Sequence, residues 1–240
     1  AWTIMLAVLA FSMSMVGTFL VRSGILTSVH SFAVDPKRGS FILVLLAIYI
    51  GGALTLFALR AATVTEGERF AVTSRESALV FNNVALSAVL GIVLIGTLYP
   101  LLTEAMGEKV SVGPPYFNPM AALFVVPMLL VLMVGPLLRW RQDKVGRIRN
   151  GLIVPAVLLV AGAIVAIALA PGKALPILGL ALAPALAVAS LLPLGGRELR
   201  RVKLPLWGMV VAHFGIAVSL FGMASDSAFT VEKLVAVPVG

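Results

Sequence analysis

The chain has 240 residues, 60% of them apolar and 12% charged, with a mean hydropathy of +1.09, which excludes a soluble globular domain and makes membrane spans the unit to count. A formal net charge of +8 does not indicate nucleic acid, because the Lys and Arg lie in short segments between apolar runs, where membrane topology accounts for them. Cysteine is absent, so the chain supplies no disulfide, thiol nucleophile or thiolate metal ligand, and any thiol chemistry uses a partner's thiols.

The first apolar run opens at Ala1 and Trp2 without an initiating Met, a basic leader or a small-residue cleavage site. This does not read as a signal peptide, and the chain is expected to begin inside a larger protein. Seven stretches are long and apolar enough to cross ~30 Å of hydrocarbon. They are residues 2–21, 40–59, 77–98, 118–138, 151–170, 174–192 and 206–224. The expected fold is all-α: a polytopic helical membrane protein with about seven transmembrane helices.

The first two runs are joined by TFLVRSGILTSVHSFAVDPKRGSF, residues 18–41, which holds one of the two histidines in the chain. Arg22 closes the run before it, and Asp35, Pro36, Lys37 and Arg38 precede the next. Between them Ile25, Leu26, Val29, Phe32 and Ala33 recur at offsets 0, 1, 4, 7 and 8, the spacing of one side of a short helix. Such a helix lies along the membrane interface, and it carries His30. The residues leave two roles open for His30: packing against headgroups or a loop, or contact with something bound above the membrane.

Asn82 and Asn83 sit near one end of the third span, where their amides need partners. Pro127, Pro136, Pro155 and Pro184 fall in the fourth to sixth spans, where proline bends a helix and frees carbonyls that neighbours must satisfy. Pro171, Gly172 and Lys173 form a tight hairpin between the fifth and sixth spans. The Pro-rich segment 174–192 is the place where a re-entrant piece would invert the remaining topology.

The last span, LWGMVVAHFGIAVSLFGMA, holds the other histidine. Gly208, Ala212, Gly215, Ser219 and Gly222 lie at offsets 0, 4, 7, 11 and 14, a stripe that another helix or a flat cofactor can approach closely, and His213 is expected to border it. An imidazole at this depth needs a hydrogen bond, a partner or a metal. A structural histidine bonded to a neighbouring carbonyl and an axial ligand of haem iron both satisfy that need. A proton relay is disfavoured, because no Asp or Glu falls within any of the seven stretches. Beyond the last span, the alternation in VEKLVAV predicts a strand, so residues 1–224 are expected to form the bundle and 225–240 to open an external domain.

Segments 60–76, 139–150 and 193–205 hold 12 Lys and Arg, and segments 22–39, 99–117, 171–173 and the tail from 225 hold 6. The two groups alternate as seven crossings require. Residue 1 is therefore expected in the cytoplasm, and His30 and residues 225–240 outside.

Residues 17–43, GTFLVRSGILTSVHSFAVDPKRGSFIL, together with residues 207–222, WGMVVAHFGIAVSLFG, resemble the CcmF family of cytochrome c maturation, with which NrfE shares much of the pattern. The resemblance follows the whole chain in span order and corresponds to the middle portion of such a protein. It implies a haem lyase subunit of the bacterial inner membrane that positions haem for attachment to the CxxCH thiols of apocytochrome c. His30 would be one of two external histidines holding incoming substrate haem, and His213 one of two transmembrane histidines ligating a resident haem b, each with its second ligand off this chain. Arg22 is a candidate for a haem propionate, alongside a plain interfacial anchor. The implied partners are a haem chaperone, CcmE, a CcmH-like thiol-handling protein, apocytochrome c and membrane lipid. The family's Trp-rich external loop has no counterpart here, no catalytic acid or base is assigned, and the segment alone is expected to be inactive. The competing classes are a transporter or channel and a membrane scaffold without a cofactor.

Overall fold

A computed structural model describes residues 2–25, 35–63 and 69–231, and among these residues every regular element is a helix. The helices are α1 (Trp2–Ser23), α2 (Pro36–Arg60), α3 (Arg75–Ala105), α4 (Pro114–Val134), α5 (Val145–Arg149), α6 (Ile153–Leu169), α7 (Ala174–Leu191) and α8 (Leu204–Phe229). Each of the seven expected spans coincides with one of them, and α5 is a short addition in a loop. Six are long and apolar enough to cross a membrane, while α6, at 17 residues, lies at the short end of the spanning range. Segment 174–192 is a continuous helix through Pro184, not a re-entrant piece. This is the architecture of a polytopic helical membrane protein.

Helices α2, α3, α4 and α8 begin earlier than their apolar runs, α2 and α3 behind polar side-chain caps and α4 and α8 at prolines in the first turn. Asp35 accepts from the backbone N–H of Arg38 (3.2 Å) and Ser74 from that of Ser77 (3.2 Å), each satisfying a donor that an uncapped helix leaves orphaned. Proline stands in the first turn of α2, α4 and α8, where its missing N–H costs nothing. At the other end α8 runs on to Phe229, so residues 225–229 are helical. The interfacial helix expected around His30 and the strand expected in VEKLVAV fall in 26–34 and 232–240, outside the described residues.

The chain divides into two compact units, Ala1–Glu68 and Arg69–Gly240. In the first, α1 and α2 form an antiparallel pair. It closes where the Asp35 N–H donates to the Arg22 carbonyl (2.9 Å) and Gly39 lies against Ser23, whose Cα would be 3.0 Å from a Cβ there. Phe11 meets Tyr49 edge to face at 5.6 Å between centroids.

In the second unit α7 is the hub, packed against α4, α6 and α8. Its Leu182, Ala185, Leu186 and Ala189 join Leu129 and Met133 of α4 and Ala217 of α8 in the core. Small residues permit this closeness: a Cβ on Gly162 of α6 would lie 3.1 Å from the Ala181 Cα, and one on Gly179 would lie 2.6 Å from the Ala224 Cβ. The α6–α7 turn uses Gly172 at φ +80°, a conformation suited to glycine. From the same turn the Lys173 ammonium donates to the carbonyls of Ser227 (3.3 Å) and Ala228 (2.7 Å), capping the end of α8. The opposite side of α6, with Val157, Val160 and Ile164, is exposed and apolar, as a lipid-facing surface is.

At the other end of this unit, residues 71–76 and 139–147 form a clasp. The Asp143 N–H donates to the Thr73 carbonyl (2.7 Å), and the Thr73 hydroxyl donates back to the Asp143 carbonyl (2.9 Å). Arg141 adopts φ +66°, and its N–H reaches both carboxylate oxygens of Glu76 (2.9 and 2.8 Å). The Asp143 side chain is only 3% exposed. It accepts from the Arg147 guanidinium and from the backbone N–H groups of Arg139 (2.9 Å) and Lys144 (2.7 Å). The Arg147 guanidinium above all holds the Asp143 carboxyl well below the usual carboxylate range, with the two backbone donors adding to it against the opposing effect of burial. A depressed folded pKa stabilises the fold fully above the ordinary carboxylate value, ~4, and that contribution is lost as pH falls below it toward the folded value. Asp143→Asn should therefore lower the Tm of the purified protein at pH 7 and reduce the steepness of its acid limb below about pH 4. An unchanged limb would mean that the clasp does not limit acid stability.

Candidate functional site

His213 stands in the third turn of α8, about 14 Å along the axis from Leu204 at the rise of an α-helix. It lines a half-open cavity of about 390 Å³ bounded by α3, α8 and the end of α4 with the following 3₁₀ turn Gly135–Leu137. Arg75, Asn82, Met128, Pro136, Met209 and Ile216 share the lining. Two sequence features treated separately, the amide of the third span and a proline of the fourth, thus meet at the histidine. Pro155, by contrast, occupies the first turn of α6, and Asn83 does not line the cavity.

The Nδ1 of His213 is enclosed and has no hydrogen-bond partner. The Met209 carbonyl, one turn back, lies within reach, but the ring does not complete a hydrogen bond to it. In the tautomer whose Nδ1–H faces that carbonyl, Nε2 keeps its lone pair free for a metal, the arrangement in which a second hydrogen bond sets the tautomer of a ligating histidine. Among the described residues no group of three or more His, Asp or Glu side chains stands close enough to hold a metal ion. A lone imidazole on an apolar cavity suits a metal whose other positions are already filled, as in a haem, and does not suit a bare ion.

The small-residue stripe is elsewhere. Gly208, Ala212, Gly215, Ser219 and Gly222 are all exposed, and a Cβ on any of the three glycines would meet nothing within 4 Å. The packed face of α8 carries Val210, Ala217, Ala224 and Ala228 instead, and His213 lies on that side with Met209. The expectation that His213 borders the Gly stripe is therefore corrected: close approach to α7 runs through Gly179 and Ala224, which turns the stripe outward. Arg22 is half-buried at the end of α1, without an ion-pair partner among the described residues, and His30 lies outside those residues. Arg75 was not singled out by the sequence, where an Arg opening a span reads only as a topology signal.

Fold and cavity together define a polytopic membrane protein with one imidazole presented to a half-open, mostly apolar space between helices. No family model matches the chain. Over its whole length, however, the chain is homologous to the CcmF/CycK family of cytochrome c-type biogenesis proteins. It is 42% identical over 254 residues to CycK of Rhizobium meliloti, covering 100% of this chain and 38% of that protein. It is 44% identical over 238 residues to CcmF of Escherichia coli, covering 97% of this chain and 37% of that protein. NrfE of Haemophilus influenzae is more distant, at 33% identity over 235 residues. A solved structure described as cytochrome c heme lyase CcmF superposes with a TM-score of 0.68 at 25% identity, covering 95% of this chain and 34% of that one. The chain thus spans a little over a third of the length of these relatives.

Proposed function

We propose that this chain is a haem-handling membrane segment of the cytochrome c maturation system, in which His213 would hold the iron of a resident haem b together with a second ligand from outside the chain. The observation that carries the proposal is the enclosed, unpartnered Nδ1 of His213 on an apolar cavity, in a chain homologous throughout to CcmF. When bound, the haem supplies redox chemistry, and this chain's residues supply its coordination and positioning. His30 holds substrate haem on the external side, with Arg22 as a candidate propionate contact, and residues 225–240 lead into an external region. The 12 to 6 distribution of Lys and Arg supports that sidedness. The partners are those of the family: a CcmE-like haem chaperone, a CcmH-like thiol-handling protein and the CxxCH thiols of apocytochrome c.

The test compares purified full-length protein with the yield of covalent cytochrome c in the same cells. Wild type should show a stoichiometric Soret band. His30→Ala should keep that band and lose most of the cytochrome yield, on the order of 10-fold or more, because a substrate-positioning ligand is gone. A wild-type protein that supports maturation without any Soret band would remove the resident haem. Loss of the band in a folded His30→Ala protein would merge the two sites.

A further inference from the structure

We propose that Arg75 is a ligand-binding residue of the His213 cavity, which holds a carboxylate carried by the group that the imidazole ligates. The inference rests on the haem reading of His213, under which that carboxylate is a haem propionate.

Arg75 opens α3 and is fixed at three points. Its backbone N–H donates to the Arg139 carbonyl in the clasp (2.9 Å), and its guanidinium carbon lies 5.2 Å from the centre of the Trp140 ring. The third contact is from Nη2 to the Met209 Sδ, at 3.3 Å. A thioether is a weak acceptor, and a guanidinium carries five donors in a fork matched to a carboxylate. Among the described residues Arg75 has no ion-pair partner, and the carboxylates nearest in sequence and in the clasp are engaged elsewhere. Glu76 receives the Arg141 N–H and Asp143 holds Arg147. A cation committed only to a ring face and a sulfur, in a lining otherwise mostly apolar, is a poised anion site.

Its placement relative to the histidine gives the ligand class. Met209 and His213 are four residues apart on α8, about 6 Å of helix rise, so the guanidinium that touches Met209 approaches the cavity from the side of the imidazole toward the start of that helix. Asn82 lines the same cavity, and its amide has no hydrogen bond among the described residues. Axial donor, cation and amide together select a planar metal complex with an anionic edge. An acyl chain leaves both the imidazole and the cation unused.

The test uses full-length protein stripped of haem and reconstituted with haem b or with its dimethyl ester, in which both propionates are neutral. Wild type should bind haem about 10-fold or more tightly than the ester, the scale of one charge-assisted hydrogen bond. Arg75→Gln should lose that preference while binding the ester as well as wild type does, and Arg75→Lys should retain part of it. Undiminished discrimination in Arg75→Gln overturns the role of Arg75 and leaves the ligation by His213 standing. Failure of wild type to bind either compound sinks the haem reading itself. Because the wild-type comparison alone shows whether the propionates matter, a poorly folding variant does not spare the proposal: equal wild-type affinities for haem and ester also refute it.

Discussion

In full-length protein, His213→Ala should lose resident haem, with affinity weakened beyond the ~10–100-fold typical of losing an outer-shell partner of a metal. His213→Gly in the presence of millimolar imidazole should recover part of the Soret band, since free imidazole can refill the ligand position. The bundle should survive both changes, because His213 lies outside the cluster of Leu129, Met133, Leu182, Ala185, Leu186, Ala189 and Ala217 that joins α4, α7 and α8. Size-exclusion behaviour and helical circular dichroism check that survival. The competing role, a histidine bonded to a carbonyl, predicts something else: unchanged haem content and potential, with a modest fall in stability. The Met209 carbonyl one turn back is within reach in either role, so haem content rather than ring geometry decides between them.

The spans were legible because each apolar run exceeds what a buried soluble helix needs, and the Lys and Arg between the runs mark their ends. What hydropathy does not register is capping. Asp35 and Ser74 draw α2 and α3 into polar sequence, and Pro100 lies within α3 without ending it. The chemistry of His213 was legible in part, since an imidazole inside an apolar run demands a partner. Its surroundings were not. Arg75, Asn82 and Pro136 reach it from elements 77 to 138 residues away, and no local pattern encodes such distances. The face of α8 was misassigned for a related reason. Glycine at offsets 0, 7 and 14 marks where a helix can be approached, but alanine at 217, 224 and 228 serves as well, and only the position of Gly179 on α7 decides between them. Asp143 is a third case. Within RWRQDKVGRIR it reads as one acid in a basic cluster, whereas in the fold it gathers the guanidinium of Arg147 and two backbone donors into the clasp that also positions Arg75.

The α7–α8 contact gives the prediction with the largest effect on assembly. Adding a single methyl at Gly179 brings a carbon to 2.6 Å from the Ala224 Cβ, with Leu220 at 3.6 Å behind it. Neither helix can yield easily, since α7 is held on its other sides by α4 and α6. Overpacking of this kind costs about 1–3 kcal/mol, only partly offset by the ~1 kcal/mol that alanine gains over glycine inside a helix. Gly179→Ala should therefore lower the thermal midpoint of the purified protein, and Gly179→Leu should prevent stable assembly, read as loss of the monodisperse peak in detergent. Gly215→Ala is the control, because nothing lies within 4 Å of its added methyl and the helix gains propensity. The double variant Gly179→Ala with Ala224→Gly moves the methyl from one helix to the other. It should recover most of the loss, and the coupling between the two sites should be about 1 kcal/mol or more, as for residues in direct contact. Additive effects in that cycle would mean that α7 and α8 do not meet through Gly179 and Ala224.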